Sequence, residues 1–170
     1  MKKLVLFSAL LTGISAAYAQ PGVNAFLFHG NVYELNLTDS SEIGISGVPI
    51  EVWSGDQLVS TEVTGPKGKY NLSLPRYAAF TLKFGRAPFV TKVIEIDTKG
   101  IERVSDLSAV DLKLEISLFK DMGYLGMNFM NYTPVAIAKF NKRSGNLEWN
   151  SEYAREVNER LSGVLLANGK

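Results

Sequence analysis

One histidine, His29, and no cysteine set the limits of the chemistry this chain can do. Zinc and most transition metals ask for several imidazole or thiolate ligands, which a single His does not supply. General acid–base work by His29 would need a nucleophile or carboxylate placed beside it, and its sequence neighbours Phe26, Leu27, Phe28 and Gly30 offer none. Calcium needs closely spaced oxygen ligands. The nearest cluster, Asp39, Ser40, Ser41 and Glu42, reads instead as a solvated loop. Glu51, Glu62, Glu95, Asp111 and Glu115 are the carboxylates from which a glycoside-cleaving pair would be drawn. Each falls on the polar side of an alternating run, and solvent-facing charge accounts for it. The G-x-S-x-G, H-E-x-x-H, G-x-G-x-x-G and P-loop patterns are absent. No catalytic residue, metal or cofactor is expected.

Contact chemistry is better represented. Residues 119–132 hold three of the four Met, two Gly and four aromatics, with no clean period. Met is flexible and polarizable and suits adaptable surfaces. Met122, Tyr124, Met127, Phe129 and Met130 are therefore candidates for a partner-binding surface, against the plainer reading that the segment wraps one end of the fold and fills core. Trp53 alternates to an outer face and is a further candidate contact. Exposed aromatics such as Trp53, Tyr77 or Trp149 would also suit stacking on sugars.

The elements that must position these residues are mostly strands. Ala25 to Leu37 is rich in aromatic and β-branched residues and reads as a strand, with a bulge at Gly30. Residues 38–47 read as a loop. Val48 to Trp53 alternates, Ser54-Gly55-Asp56 turns, and Leu58 to Val63 returns as a hairpin. Tyr70 to Leu74, Phe80 to Phe84 and Val90 to Ile96 continue the pattern. Val110, Leu112, Leu114, Ile116 and Leu118 give the clearest period of two. The expectation is an all-β, seven-stranded antiparallel Ig- or transthyretin-like sandwich over residues 20–118. Residues 119–170 form an extension: the Met/aromatic segment, a small hairpin (Val135–Phe140 and Asn146–Trp149) and one α-helix. In that helix Ser151 is the expected N-cap, Ala154, Val157, Leu161 and Val164 form the apolar stripe, and Glu156–Arg160 is an i,i+4 pair.

The chain's 170 residues, 46% apolar and 21% charged, have ordinary globular composition. Met1-Lys2-Lys3, the apolar run Leu4 to Ala17 and Ala17-Tyr18-Ala19 make a secretory signal over residues 1–19, with cleavage expected after Ala19. No later apolar stretch is long enough to span a bilayer as a helix. Removing Lys2 and Lys3 from the 18 basic residues leaves 16 against 17 acidic, a balance of −1. Nothing in that balance attracts nucleic acid or an anionic membrane.

Gly47-Val48-Pro49-Ile50-Glu51-Val52 followed by Thr64-Gly65-Pro66-Lys67-Gly68-Lys69-Tyr70-Asn71-Leu72 resembles the carboxypeptidase regulatory-like domain, a transthyretin-like β-sandwich. Thr81-Leu82-Lys83-Phe84 and Ile94-Glu95-Ile96-Asp97 fill that family's later strand slots, and Gly65 stands where it usually has Asp. The tail, from Pro134 to Tyr153, resembles the extension that follows this domain in small exported proteins of bacterial envelopes. The resemblance implies fold more than function. Related sandwiches that form isopeptide links need a Lys in the first strand, which residues 25–37 lack. Related hydroxyisourate hydrolases and intradiol dioxygenases need more than one His. The expectation is a non-catalytic, exported interaction or structural module of the cell envelope, periplasmic before extracellular, with an envelope protein as partner. The alternative is a carbohydrate- or peptidoglycan-binding module.

Overall fold

Strand β1 (Ala25–Leu35) runs through the middle of one of two sheets in a computed structural model that describes residues 25–99 and 110–168. The signal segment and its cleavage site lie outside the described residues. On one side of β1 lie β5 (Lys69–Pro75) and the short β2 (Glu42–Gly44), both antiparallel to it. On the other side lie β8 (Val110–Lys113) and β9 (Ile116–Leu118), both parallel to it. The second sheet has six strands in the order β11-β10-β7-β6-β3-β4. These are β3 (Pro49–Ser54), β4 (Gln57–Val63), β6 (Ala79–Phe84), β7 (Lys92–Asp97), β10 (Ala136–Asn141) and β11 (Asn146–Trp149). One helix, α1 (Ser151–Asn168), follows.

Alternation explains the layering. In β5 the pattern is exposed-buried throughout, and β3 and β6 bury every second residue. Phe26, Phe28, Tyr70, Leu72 and Leu74 of the first sheet meet Ile50, Val52, Leu82, Phe84, Ile94 and Ile96 of the second in one core. The rings of Tyr70 and Phe84 meet edge-on, 5.6 Å between centroids. Burying each such side chain contributes roughly 1.5–3 kcal/mol.

The all-β sandwich with a C-terminal helix is as the sequence indicates, but its pairing is not purely antiparallel. Parallel pairs join β1 to β8 and β9, and β7 to β10. Parallel partners cannot be joined by a tight turn, and in each pair here other strands intervene along the chain between the two partners. The C-terminal hairpin is accordingly part of the second sheet, with Ala138 and Phe140 in the main core.

Gly30 is not a bulge. The β1–β5 register is unbroken from Ala25↔Pro75 to Asn31↔Lys69. Gly30 instead lets another strand come close: a Cβ there would lie 2.0 Å from the carbonyl oxygen of Leu114. That contact splits the long alternating run into β8 and β9, with Leu114 N–H donating to His29 C=O at 2.9 Å. A register shift does occur between β3 and β4, at Val52/Trp53, where Val59 is passed over.

Asn150, not Ser151, caps α1: its Oδ1 accepts from Tyr153 N–H at 3.0 Å. The expected stripe faces inward, with Val157 buried and Leu161 and Val164 half-buried. Arg160 does not pair with Glu156. Its guanidinium stacks over Phe129 at 4.1 Å, and the i,i+4 ion pair is Arg155–Glu159.

Candidate interaction surface

Segment 119–135 leaves β9 and is pinned to the loop before β7. Val90 N–H donates to Phe119 C=O at 3.0 Å, and Asp121 N–H to Pro88 C=O at 2.8 Å. Asp121 Oδ1 then accepts from Gly123 N–H, and Gly123 and Gly126 take positive φ on either side of Leu125. A 3-10 turn, Met127–Asn131, follows before Val135 N–H joins the second sheet through Val93 C=O at 2.7 Å.

The five candidates in this segment divide. Met127 and Met130 are 6% and 0% exposed and form a second core with Val90 and Phe119, covered by Leu161, Val164 and Leu165 of α1. Their assignment to a partner surface is corrected: the helix uses their flexible side chains to fill an irregular gap. Phe129 and Tyr124 are half-buried against the same cluster, and the face of Phe129 is taken by Arg160. Only Met122 is exposed, at 58%.

Sequence reasoning missed the apolar side chains that this packing leaves outside, chiefly Leu125, Tyr132 and Leu166. Leu125, 87% exposed, is the most exposed large apolar residue among the described residues. Its backbone is held on both sides by one side chain. Asn168 Oδ1 accepts from Leu125 N–H, and Asn168 Nδ2 donates to Leu125 C=O, both at 3.2 Å. Asn168 Nδ2 also donates to Val164 C=O at 2.8 Å, a carbonyl of the last turn of α1. The signal for this tip was the pair of glycines bracketing Leu125.

Trp53 is half-buried on the outer face of the second sheet. Its Nε1 donates to Glu51 Oε2 at 2.8 Å, and Lys83 Nζ lies 4.8 Å from the ring centroid. Trp53, Gly55, Asp56, Thr81 and Lys83 enclose a hollow of about 240 Å³. Trp149 and Tyr77 are 42% and 51% exposed. His29 lies opposite Asn71 on the outer face of the first sheet, in a groove shared with Leu27, Glu62 and Ser73. Glu115, which pairs with Lys113 at 2.7 Å and accepts from Tyr33, is held below the usual carboxylate range, first by the Lys113 hydrogen bond. Among the described residues no three His, Asp or Glu side chains are grouped to hold a metal, and no helix is long and apolar enough to cross a membrane.

No family model and no curated protein matches the chain. Among solved structures it is similar to 3-chlorocatechol 1,2-dioxygenase from Rhodococcus opacus, with TM-score 0.41 and 8% identity over 58% of this chain and 60% of that one. The minor pilin GBS52 of Streptococcus agalactiae gives 0.40 and 8%, over 58% and 45%. The N-terminal domain of the shaft pilin SpaA of Lactobacillus rhamnosus GG gives 0.38 and 10%, over 58% and 96%. The chain thus spans less than two thirds of the first two. At this level the likeness says nothing of activity, and the sandwich stands on its own strand pairing. The carboxypeptidase regulatory-like resemblance rests on its motifs alone.

Proposed function

We propose that this chain is a non-catalytic, exported β-sandwich of the carboxypeptidase regulatory-like kind that works by protein–protein contact in the cell envelope. One observation carries the reading: Leu125 is an apolar side chain fixed in solvent. A free loop would fold such a side chain back onto the surface. Here the Asn168 carboxamide holds both backbone groups of Leu125, so the side chain is presented ready for a partner and little ordering entropy remains to be lost on binding. Met122 and Leu166 add exposed apolar area from the same segment and the same end of α1. The export signal expected over residues 1–19 supports a partner in the envelope.

The test uses the full exported chain as bait on solubilised native envelope, beside a Leu125→Ser bait whose backbone clamp is intact. The expected result is a protein held by the first and lost by the second that also binds directly once purified. Identical captures from both baits overturn the reading. So does turnover of a defined substrate that depends on one polar residue.

A second reading, a carbohydrate- or peptidoglycan-binding module, is favoured by the Trp53 hollow. An indole with one face under Lys83, and with Asp56 and Thr81 at the margin of the hollow, offers a sugar polar partners beside an aromatic ring. A glycan array read with wild type and Trp53→Ala decides it: signal that Trp53→Ala abolishes supports it, and no signal excludes it.

A further inference from the structure

β4 (Gln57–Val63) ends the second sheet, and all seven of its residues are exposed. Two hydrogen bonds show which of its backbone groups face outward. Gly85 N–H donates to Pro49 C=O at 3.4 Å, so Pro49 turns its carbonyl towards β6 and away from β4. Thr64 N–H donates to Val48 C=O at 3.0 Å, so Thr64 faces inward towards β3. Direction alternates along an antiparallel ladder. Val63, opposite Pro49, and Thr61, opposite Glu51, therefore direct their N–H and C=O groups to the free edge.

That edge carries one charged residue, Glu62, and the register shift that passes over Val59, but no cation and no proline. No Lys, Arg or Pro occurs between Gln57 and Val63, while Leu58, Val59 and Val63 are 47%, 47% and 59% exposed. The other edge of the same sheet, β11, has four residues and passes at once into α1.

We propose that β4 is a dimerisation edge. Two copies of this chain pair β4 against β4, antiparallel, across a two-fold axis centred on Thr61, and the two second sheets become one. Backbone chemistry calls for a strand as occupant, and the side chains make that strand a second copy. In this register Thr61 meets the partner's Thr61, and their outward N–H and C=O groups bond reciprocally. The Ser60 hydroxyl donates to the partner's Glu62, and Val63 lies beside the partner's Val59, the residue that the β3–β4 register passes over. Such β-branched and hydroxyl–carboxylate pairs are favourable across strands. Centring the axis on Ser60 would set Glu62 against the partner's Leu58, and centring it on Glu62 would oppose two carboxylates. The contact is isologous and closes at two copies. It is independent of the Leu125 surface, which lies on another part of the molecule.

The test is sedimentation velocity of the purified full exported chain over a wide concentration range. A two-chain species is expected. Thr61→Pro removes an N–H that makes no bond to β3 and is tolerated on an edge. It is expected to sediment as one chain with unchanged circular dichroism. Ser60→Glu, placed opposite the partner's Glu62, is expected to weaken the dimer about tenfold or more, and Ser60→Lys to tighten it. Because the chain has no Cys, oxidised Thr61→Cys is expected to give a covalent two-chain species and Thr38→Cys, on the 36–41 loop, none. A wild type that stays one chain at every concentration overturns the proposal. So does a dimer indifferent to Thr61→Pro, or to the sign of charge at Ser60. If Thr61→Pro unfolds, the Ser60 pair decides.

Discussion

The hydroxyl of Tyr70 donates to the backbone carbonyl of Leu114 at 2.5 Å, on the same oxygen that a Cβ at position 30 would strike. Gly30 and Tyr70 face each other across β1 and β5, so one point in the first sheet admits the β8–β9 break and satisfies it. Gly30→Ala is expected to lower stability by about 2–4 kcal/mol, since the obstruction is backbone and has no flexible end to yield. Tyr70→Phe keeps the ring against Phe84 and loses only the bond, about 1–2 kcal/mol. Urea unfolding of both variants measures the difference.

The same tyrosine makes stability depend on alkali. Burial, with a smaller push from the Glu115 charge, raises the Tyr70 phenol well above the usual tyrosine range. The folded state therefore holds this proton more tightly than the unfolded chain. Its contribution is fully present below about pH 10, the unfolded value, and is lost as pH rises beyond it. Urea midpoints taken from about pH 8 to about pH 11 are expected to fall at the alkaline end, and to fall less in Tyr70→Phe.

Met130 and Leu125 stand five residues apart with opposite roles. Met130→Ala opens a cavity beneath α1 and is expected to cost about 2–5 kcal/mol. Leu125→Ala is expected to stay within about 0.5 kcal/mol, because the side chain touches little. Thermal denaturation of the pair checks the division. Similar losses would mean that Leu125 is packing rather than presented.

Asn150 supplies the cap of α1. Asn150→Ala is expected to cost about 1 kcal/mol and Ser151→Ala less than about 0.5 kcal/mol. Denaturant midpoints, with amide exchange at Tyr153, read the lost hydrogen bond directly.

Alternation made β3, β5, β6 and β7 legible, because each buries one face in a shared core. It hid the break at Leu114, since the period continues through it and only the approach of Gly30 interrupts the pairing. β2 had no such signal: Glu42, Ile43 and Gly44 are too few for a period. Parallel pairing of β10 with β7 was invisible because its determinants lie on separate stretches of chain. At the candidate contact surface, composition drew the eye to residues 119–132 but could not say which methionines α1 would cover. Asn150 and Ser151 are both good N-caps, and propensity alone does not separate neighbours.

The parallel partnership of β1 with β8 and β9 imposes an order in time. Phe26 waits for Val110 and Glu34 for Leu118 before the first strand has both its neighbours. β7 waits further, until β10 has arrived. A chain delivered from its N-terminus thus runs through most of its length before either sheet can be completed. Contacts this distant in sequence make folding slow.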